Sequence, residues 1–193
     1  MDTGQPDAIV AVKDGRAWRI GAQDEVAWIQ DHTRGGLAIT SAIPPVFDGY
    51  ATLVNRAGDS ERQASEAALV SLLQAESADQ MWWLGYLDTG AHDIVFVDAP
   101  KVTLYASWRY VLVEAGPLQA ATWRDDDARR GRLPDLIYPA NRSWLVSMLW
   151  DDDWRCLGGP SSLVQAVIAD PTLDARQVKL DQDDATPPGH VAR

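Results

Sequence analysis

The sequence has very little cysteine and no long apolar run. Its one cysteine, Cys156, excludes an intramolecular disulfide. Charged, Gly or Pro residues interrupt each apolar run before the roughly 18 residues that a membrane-spanning helix needs. The first six residues lack the basic and apolar runs of a signal peptide. We therefore expect a cytoplasmic protein that is not embedded in a membrane.

Short catalytic and cofactor motifs are also lacking. The chain contains no phosphate-binding loop, no GxGxxG, GxSxG or HExxH pattern and no paired CxxC. These absences exclude the best-known nucleotide-binding, hydrolase and zinc-site signatures. We therefore expect no cofactor.

The apolar content is sufficient for one folded domain. The 193 residues are 46% hydrophobic and 23% charged, proportions that predict a buried core without disulfides or metals. We assign residues 1–178 to a single globular domain. Residues 179–193 have no apolar period, contain Asp and Pro, and are predicted to form a flexible tail.

Acidic side chains outnumber basic ones and are unevenly distributed. The net charge is −11, and the first 100 residues hold 15 acidic against 6 basic side chains. Such a surface repels nucleic acid and anionic membranes, and it accelerates encounter with a basic partner. The charge thus disfavours nucleic acid and membranes as partners and is compatible with a protein partner, for example a basic one. Solubility alone is the alternative explanation.

Hydrophobic periodicity predicts an α+β fold, a largely antiparallel sheet packed against two or three helices. Asp14-Gly15 is typical of a type I′ turn and predicts an opening hairpin. Alternation over residues 143–157 predicts a second hairpin with an acidic tip. Helices are expected at about 61–78 and 161–169 on one side of the sheet. Further strands are expected at 81–87, 94–97, 102–105 and 110–113, with a strand or extended segment at 37–42.

Tryptophan is abundant, with nine residues against two Phe. An indole combines a large apolar face with an N–H group, so it suits binding surfaces as well as cores. Trp82 and Trp83 lie in the densest aromatic segment and would face opposite sides of a strand. We name Trp82, Trp83 and Trp108 as candidate binding residues, although core packing is the preferred interpretation of these side chains. A carbohydrate-binding surface would require two exposed, coplanar indoles.

Three residues are candidates for catalysis. His92 and Asp93 are neighbours, and a histidine oriented by a carboxylate can act as a general base. Cys156 is a candidate nucleophile, but it alternates in register with Trp154, which we expect to point inward, so a buried and inert thiol is the preferred interpretation. His32, which follows Asp31, could act as a general base in the same way. For both histidines the alternative is an ordinary polar loop residue.

The acidic tip contains the candidate metal ligands. Carboxylate oxygens suit Mg²⁺ or Ca²⁺. Three successive Asp in an extended chain point alternately to opposite sides, so they do not all converge on one ion. We therefore expect no metal, with Asp151 and Asp153 as the alternative ligand pair.

Two functions of different classes fit these observations. The leading hypothesis is a non-catalytic acidic protein-interaction module, such as an inhibitor, an immunity-type protein or a regulatory protein. The alternative is a small metal- or His/Asp-dependent hydrolase. That enzyme would require Asp88, His92 or Asp93 to meet the acidic residues 125–127 or 151–153 in one pocket.

Overall fold

The computed structural model describes residues 8–77, 79–91, 94–125, 131–181 and 183–190. In these ranges the chain forms four α-helices, ten strands and one short 3-10 helix at Ile39–Ser41. The helices are α1 Gln23–Gln30, α2 Asp59–Ser77, α3 Pro117–Thr122 and α4 Ser161–Ala169. The strands are β1 Val10–Lys13, β2 Arg16–Arg19, β3 Gly49–Val54, β4 Trp82–Leu87, β5 Val102–Leu104, β6 Trp108–Ala115, β7 Leu136–Pro139, β8 Leu145–Ser147, β9 Trp154–Gly159 and β10 Ala175–Gln177.

Eight of the strands form one sheet in the order β10-β3-β9-β8-β7-β4-β6-β5. Every pairing in this sheet is antiparallel. The α+β class and the largely antiparallel sheet are therefore confirmed. The longest helix, α2, has 19 residues, and no helix in the described ranges is long and apolar enough to cross a membrane.

The opening hairpin forms around the predicted turn. Asp14 and Gly15 have φ angles of 53° and 75°, the positive values that a type I′ turn requires at both central positions. The Trp123 indole N–H donates to Asp14 Oδ2 at 2.6 Å, and the Trp123 ring meets the Trp18 ring edge-on at 4.8 Å. These contacts fix the hairpin against the end of α3.

The large sheet has an apolar cluster on each face. Alternation along β4 sends Trp82, Leu84 and Tyr86 to one cluster and Trp83 and Leu87 to the other. Helices α2 and α4 both pack on the first face, as predicted. The second face is covered as well, since α1 and the 3-10 helix contribute Val26, Ile29 and Ile39 to it.

Two predicted strands are wrong. Residues 94–97 form a turn, because Phe96 has a φ of 56° and its carbonyl accepts from the Ala99 N–H at 2.8 Å. Within residues 37–42 the chain forms the 3-10 helix, which buries Ile39 at 1% exposure. A short apolar run has no period of its own, so sequence alone does not separate these conformations from a strand.

The second predicted hairpin is present. Strands β8 and β9 pair antiparallel, with Leu145 opposite Gly158 and Ser147 opposite Cys156. Residues 148–153 connect them, so the three consecutive aspartates occupy the turn. This turn, which we call the acidic turn, lies beside the C-terminal segment.

The segment predicted as a tail contacts the body of the protein. Ala185 is 5% exposed and its N–H donates to the Leu37 carbonyl at 2.9 Å. His190 Nδ1 lies 2.7 Å from Asp153 Oδ1 in the acidic turn. These contacts place residues 185–190 against one end of the second cluster.

Candidate functional site

A groove forms where four separate segments meet at the end of the second cluster. It is lined by residues 30–41, by the turn between β5 and β6, by the acidic turn and by residues 185–186. Two adjoining cavities, of about 130 and 290 Å³, share Gly36, Ser41, Trp108 and Leu149. We call these two cavities together the Asp152 groove.

The turn between β5 and β6 positions Trp108 on the wall of the groove. Tyr105 and Ser107 have φ angles of 56° and 69°, a backbone region that non-glycine residues rarely adopt. The Tyr105 hydroxyl donates to the Ala42 carbonyl at 2.9 Å and accepts from Ser147 Oγ at 2.7 Å. These bonds hold the turn in place, so the half-buried Trp108 indole lines both cavities.

Asp152 lines the smaller cavity and is only 9% exposed. Its backbone N–H donates to the Leu149 carbonyl at 3.3 Å, which tightens the turn. Within the described part of the chain, its carboxylate has neither a hydrogen-bond donor nor a cationic partner. Neither carboxylate oxygen is among the fully buried polar atoms that lack a partner in the described residues, so the unpaired carboxylate reaches solvent through the cavity.

The environment of Asp152 raises its pKa to about 6. Burial is the largest cause, because it penalises the charged carboxylate, and the charges of Asp153 and Asp151 add to the effect. The carboxyl therefore changes its charge close to neutral pH, which an ordinary Asp does not.

The two candidate metal ligands lie on either side of Asp152. Asp151 lines the smaller cavity, whereas Asp153 is about half exposed and contacts His190. Among the described residues, no group of three His, Cys, Asp or Glu side chains is arranged to hold a metal ion.

Cys156 also lines the smaller cavity, but its side chain is buried at 2% exposure. Burial raises the pKa of the thiol well above its usual value, and the nearby Asp152 carboxylate raises it further. Since the thiolate is the nucleophilic form, the Cys156 sulfur is held in its unreactive state.

The three candidate binding tryptophans are in different environments. Trp82 and Trp83 are 0% and 3% exposed and pack in the two clusters on opposite faces of β4. Trp108 lies in the groove, and Trp150 is 37% exposed beside it. The Trp108 and Trp150 rings are 6.1 Å apart at an angle of 67°, so they are not coplanar.

Among the described residues, the other catalytic candidates, Asp88 and His32, do not line this groove. His92 and Asp93 lie outside the described residues. Asp88 is near Lys101 Nζ at 3.4 Å and Arg109 at 3.6 Å, and its pKa is lowered, first by a hydrogen bond from the Gly90 N–H. His32 is exposed, with Nδ1 2.9 Å from the Trp28 carbonyl.

The sequence did not lead us to Asp152, although one signal was present. Side chains two residues apart share a face of an extended chain, and Trp154 and Cys156 were both expected to point inward. Asp152 precedes Trp154 by two residues and shares that direction. The middle aspartate is thus the one that enters the groove.

Comparisons with known proteins give no functional information. No protein-family model, curated protein or solved structure matches the chain. The function must therefore be argued from the groove itself.

Proposed function

We propose that the protein is a non-catalytic interaction module that binds a basic protein partner over the Asp152 groove. The observation that carries this proposal is the carboxylate of Asp152, a largely buried residue on the wall of the groove with no cationic partner among the described residues. An ionised carboxylate in such a place is costly unless a cation approaches it. A partner with a protruding basic side chain would supply that cation.

The surroundings of the groove favour a protein partner. Leu37 and Trp150 are 59% and 37% exposed beside it, and a large exposed indole is typical of interface hot spots. The net charge of −11 would steer a basic partner towards the protein and repel nucleic acid. An inhibitor, an immunity-type protein or a regulatory subunit would have these properties.

The chemistry of the groove favours binding over catalysis. Its thiol is protonated by burial, and the nearby histidine, His190, contacts Asp153 rather than the Cys156 sulfur. Cys156 is a buried free thiol, which agrees with the cytoplasmic location that we propose.

The test is affinity purification of the tagged protein from the cells that produce it, at low and high salt. The double variant Asp151→Asn/Asp153→Asn removes two charges at the groove. Its matched control is Glu76→Gln/Asp79→Asn, which removes two exposed charges at the end of α2. Captured proteins are identified and quantified by mass spectrometry.

We expect a stoichiometric basic protein that is lost at high salt and with the groove variant, and that is retained with the control. A partner that is retained equally by both double variants would place the interface elsewhere. A preparation in which no protein is enriched at either salt concentration would contradict the proposal.

A further inference from the structure

The protein already contains a carboxylate, an aromatic ring and a guanidinium packed together. Asp135 is 1% exposed, and its carboxylate pairs with the Arg124 guanidinium. The same guanidinium lies over the Tyr86 ring, 5.3 Å from its centroid. The cation is thus held by an anion and by the face of an aromatic ring, two contacts that reinforce one another.

Indole rings elsewhere in the chain also lie against guanidinium groups. Arg16 lies 3.7 Å from the centroid of Trp18, and Arg19 lies 4.4 Å from that of Trp83. Arginine stacks on indoles because its charge is delocalised over a plane and weakly hydrated. Among the described residues, no arginine lies over Trp108 in this manner.

The Asp152 groove therefore has two of the three parts of this arrangement. The carboxylate is Asp152, and the ring is Trp108, which lines both cavities. Both residues line the smaller cavity, which has a volume of about 130 Å³. Asp152 is 9% exposed, whereas its neighbours Asp151 and Asp153 in the same turn are exposed.

We propose that the Asp152 groove binds the guanidinium group of an arginine side chain, paired with the Asp152 carboxylate and stacked on the Trp108 indole. This inference rests on the proposed function only in making that arginine part of a basic protein partner. The planar guanidinium is preferred over a lysine ammonium because it can donate two parallel hydrogen bonds to one carboxylate.

The binding depends on pH because Asp152 must be ionised to pair with the cation. Since the pKa of Asp152 is about 6, about one carboxylate in ten is ionised at pH 5, and affinity would fall about tenfold there. Other charged or ionisable groups also lie near the groove, and the Asp152→Asn variant separates their effect from that of Asp152. Those groups are Asp151 and Asp153 of the acidic turn, Cys156 of β9, Arg34 on the larger cavity, Arg176, which donates to the carbonyls of Asp184 and Thr186, and His190, which contacts Asp153.

The probe for the experiment is N-acetyl-L-arginine methylamide, titrated into the full chain while assigned indole N–H signals are followed by NMR. The citrulline amide is the neutral isostere, and the lysine amide is the alternative cation. We expect saturable shifts of the Trp108 and Trp154 signals at pH 7.5, with a dissociation constant on the order of 1 mM for so small a ligand. Binding should be about tenfold weaker at pH 5.

The variants Asp152→Asn and Trp108→Leu should each abolish saturable binding, whereas Glu76→Gln should leave it unchanged. Trp108→Leu keeps the test informative if Asp152→Asn fails to fold. Binding that is insensitive to pH and to both groove variants would overturn the inference. Equal binding of the citrulline or lysine amide would overturn it too, as would the absence of saturable shifts.

This experiment separates the inference from the proposed function. If the arginine amide fails to bind but a basic partner is captured through Asp151 and Asp153, the inference falls and the proposed function stands. If the amide binds as expected but no protein is captured, the groove is an arginine site and the proposed function falls.

Discussion

Arg124 and Asp135 form an ion pair inside the protein, and their side chains are 6% and 0% exposed. The Asp135 carboxylate also accepts a hydrogen bond from the Leu87 N–H at 2.9 Å, which ties the start of β7 to the end of β4. Arg124 additionally donates to the Leu133 carbonyl at 3.0 Å. The pair thus connects α3, β4 and β7 through charge as well as packing.

Breaking this pair should destabilise the protein strongly. Asp135→Asn would leave the Arg124 guanidinium buried without its anion, so we expect a loss of about 3–5 kcal/mol in the free energy of unfolding. Urea titration followed by circular dichroism measures the change. The matched control is Asp174→Asn, which breaks an exposed pair with Arg56 at 3.8 Å and should cost less than about 1 kcal/mol. Equal effects of the two substitutions would contradict this account.

Asp152→Asn should change the free energy of unfolding in the opposite direction from Asp135→Asn, so that the protein becomes more stable at neutral pH. In the unfolded chain this carboxyl ionises near pH 4, and folding raises its pKa to about 6. The folded state therefore holds the proton more tightly, and the free energy of unfolding falls as the pH rises from about 4 to about 6.

We expect the variant to be about 1–2 kcal/mol more stable than the wild type at pH 7.5, a value reduced for partial solvent screening. The difference should be nearly gone at about pH 3, below the unfolded-state pKa, where the carboxyl is protonated in both the folded and the unfolded chain. Urea titrations at the two pH values measure it. Destabilisation by Asp152→Asn at pH 7.5 would mean that the carboxylate is paired after all.

The Cys156 thiol should react with a disulfide reagent only when the protein opens. Burial keeps the thiol protonated and inaccessible, so labelling of the native protein should be at least ~100-fold slower than labelling of the urea-unfolded chain. The absorbance of the released thiolate follows the reaction. Rapid labelling without denaturant would show that the Cys156 thiol is accessible and reactive in the native protein.

Substitutions should separate the core tryptophans from the surface one. Trp82 is 0% exposed, packs edge-on against Trp144 at 5.0 Å and donates to Ser77 Oγ at 2.9 Å. Trp82→Ala should therefore cost about 3–5 kcal/mol. Trp150→Ala should cost less than about 1 kcal/mol, because the side chain is 37% exposed. Thermal unfolding of both variants is the measurement, and a larger loss for Trp150→Ala would reverse this assignment.

Most turns and strands could be predicted from the sequence because interactions between residues close together in the chain determine them. Asp14-Gly15 tolerates positive φ and forms its turn wherever the flanking strands pack. Alternation places successive side chains on opposite faces, and that rule correctly separated Trp82 from Trp83. The rule does not indicate whether a face meets another layer or solvent, so the burial of both indoles was not predictable.

The wrong strands mark the limit of such patterns. The apolar residues 94–97 are near the first cluster, but their backbone turns at Phe96 because packing there outweighs strand propensity. The same limit applied to residues 179–190, whose sequence has no period. Ala185 is buried because a complementary site exists on a distant part of the chain.

By itself, the sequence determined the acidic charge, the single thiol, the α+β class and the hairpin that carries three consecutive aspartates. These properties depend on composition and on contacts between near neighbours in the chain. Only the tertiary structure decided that Asp152 lines the same cavity as Trp108, 44 residues away in the sequence. The pKa of that carboxyl is set by burial, and burial is a property of the whole fold rather than of any segment.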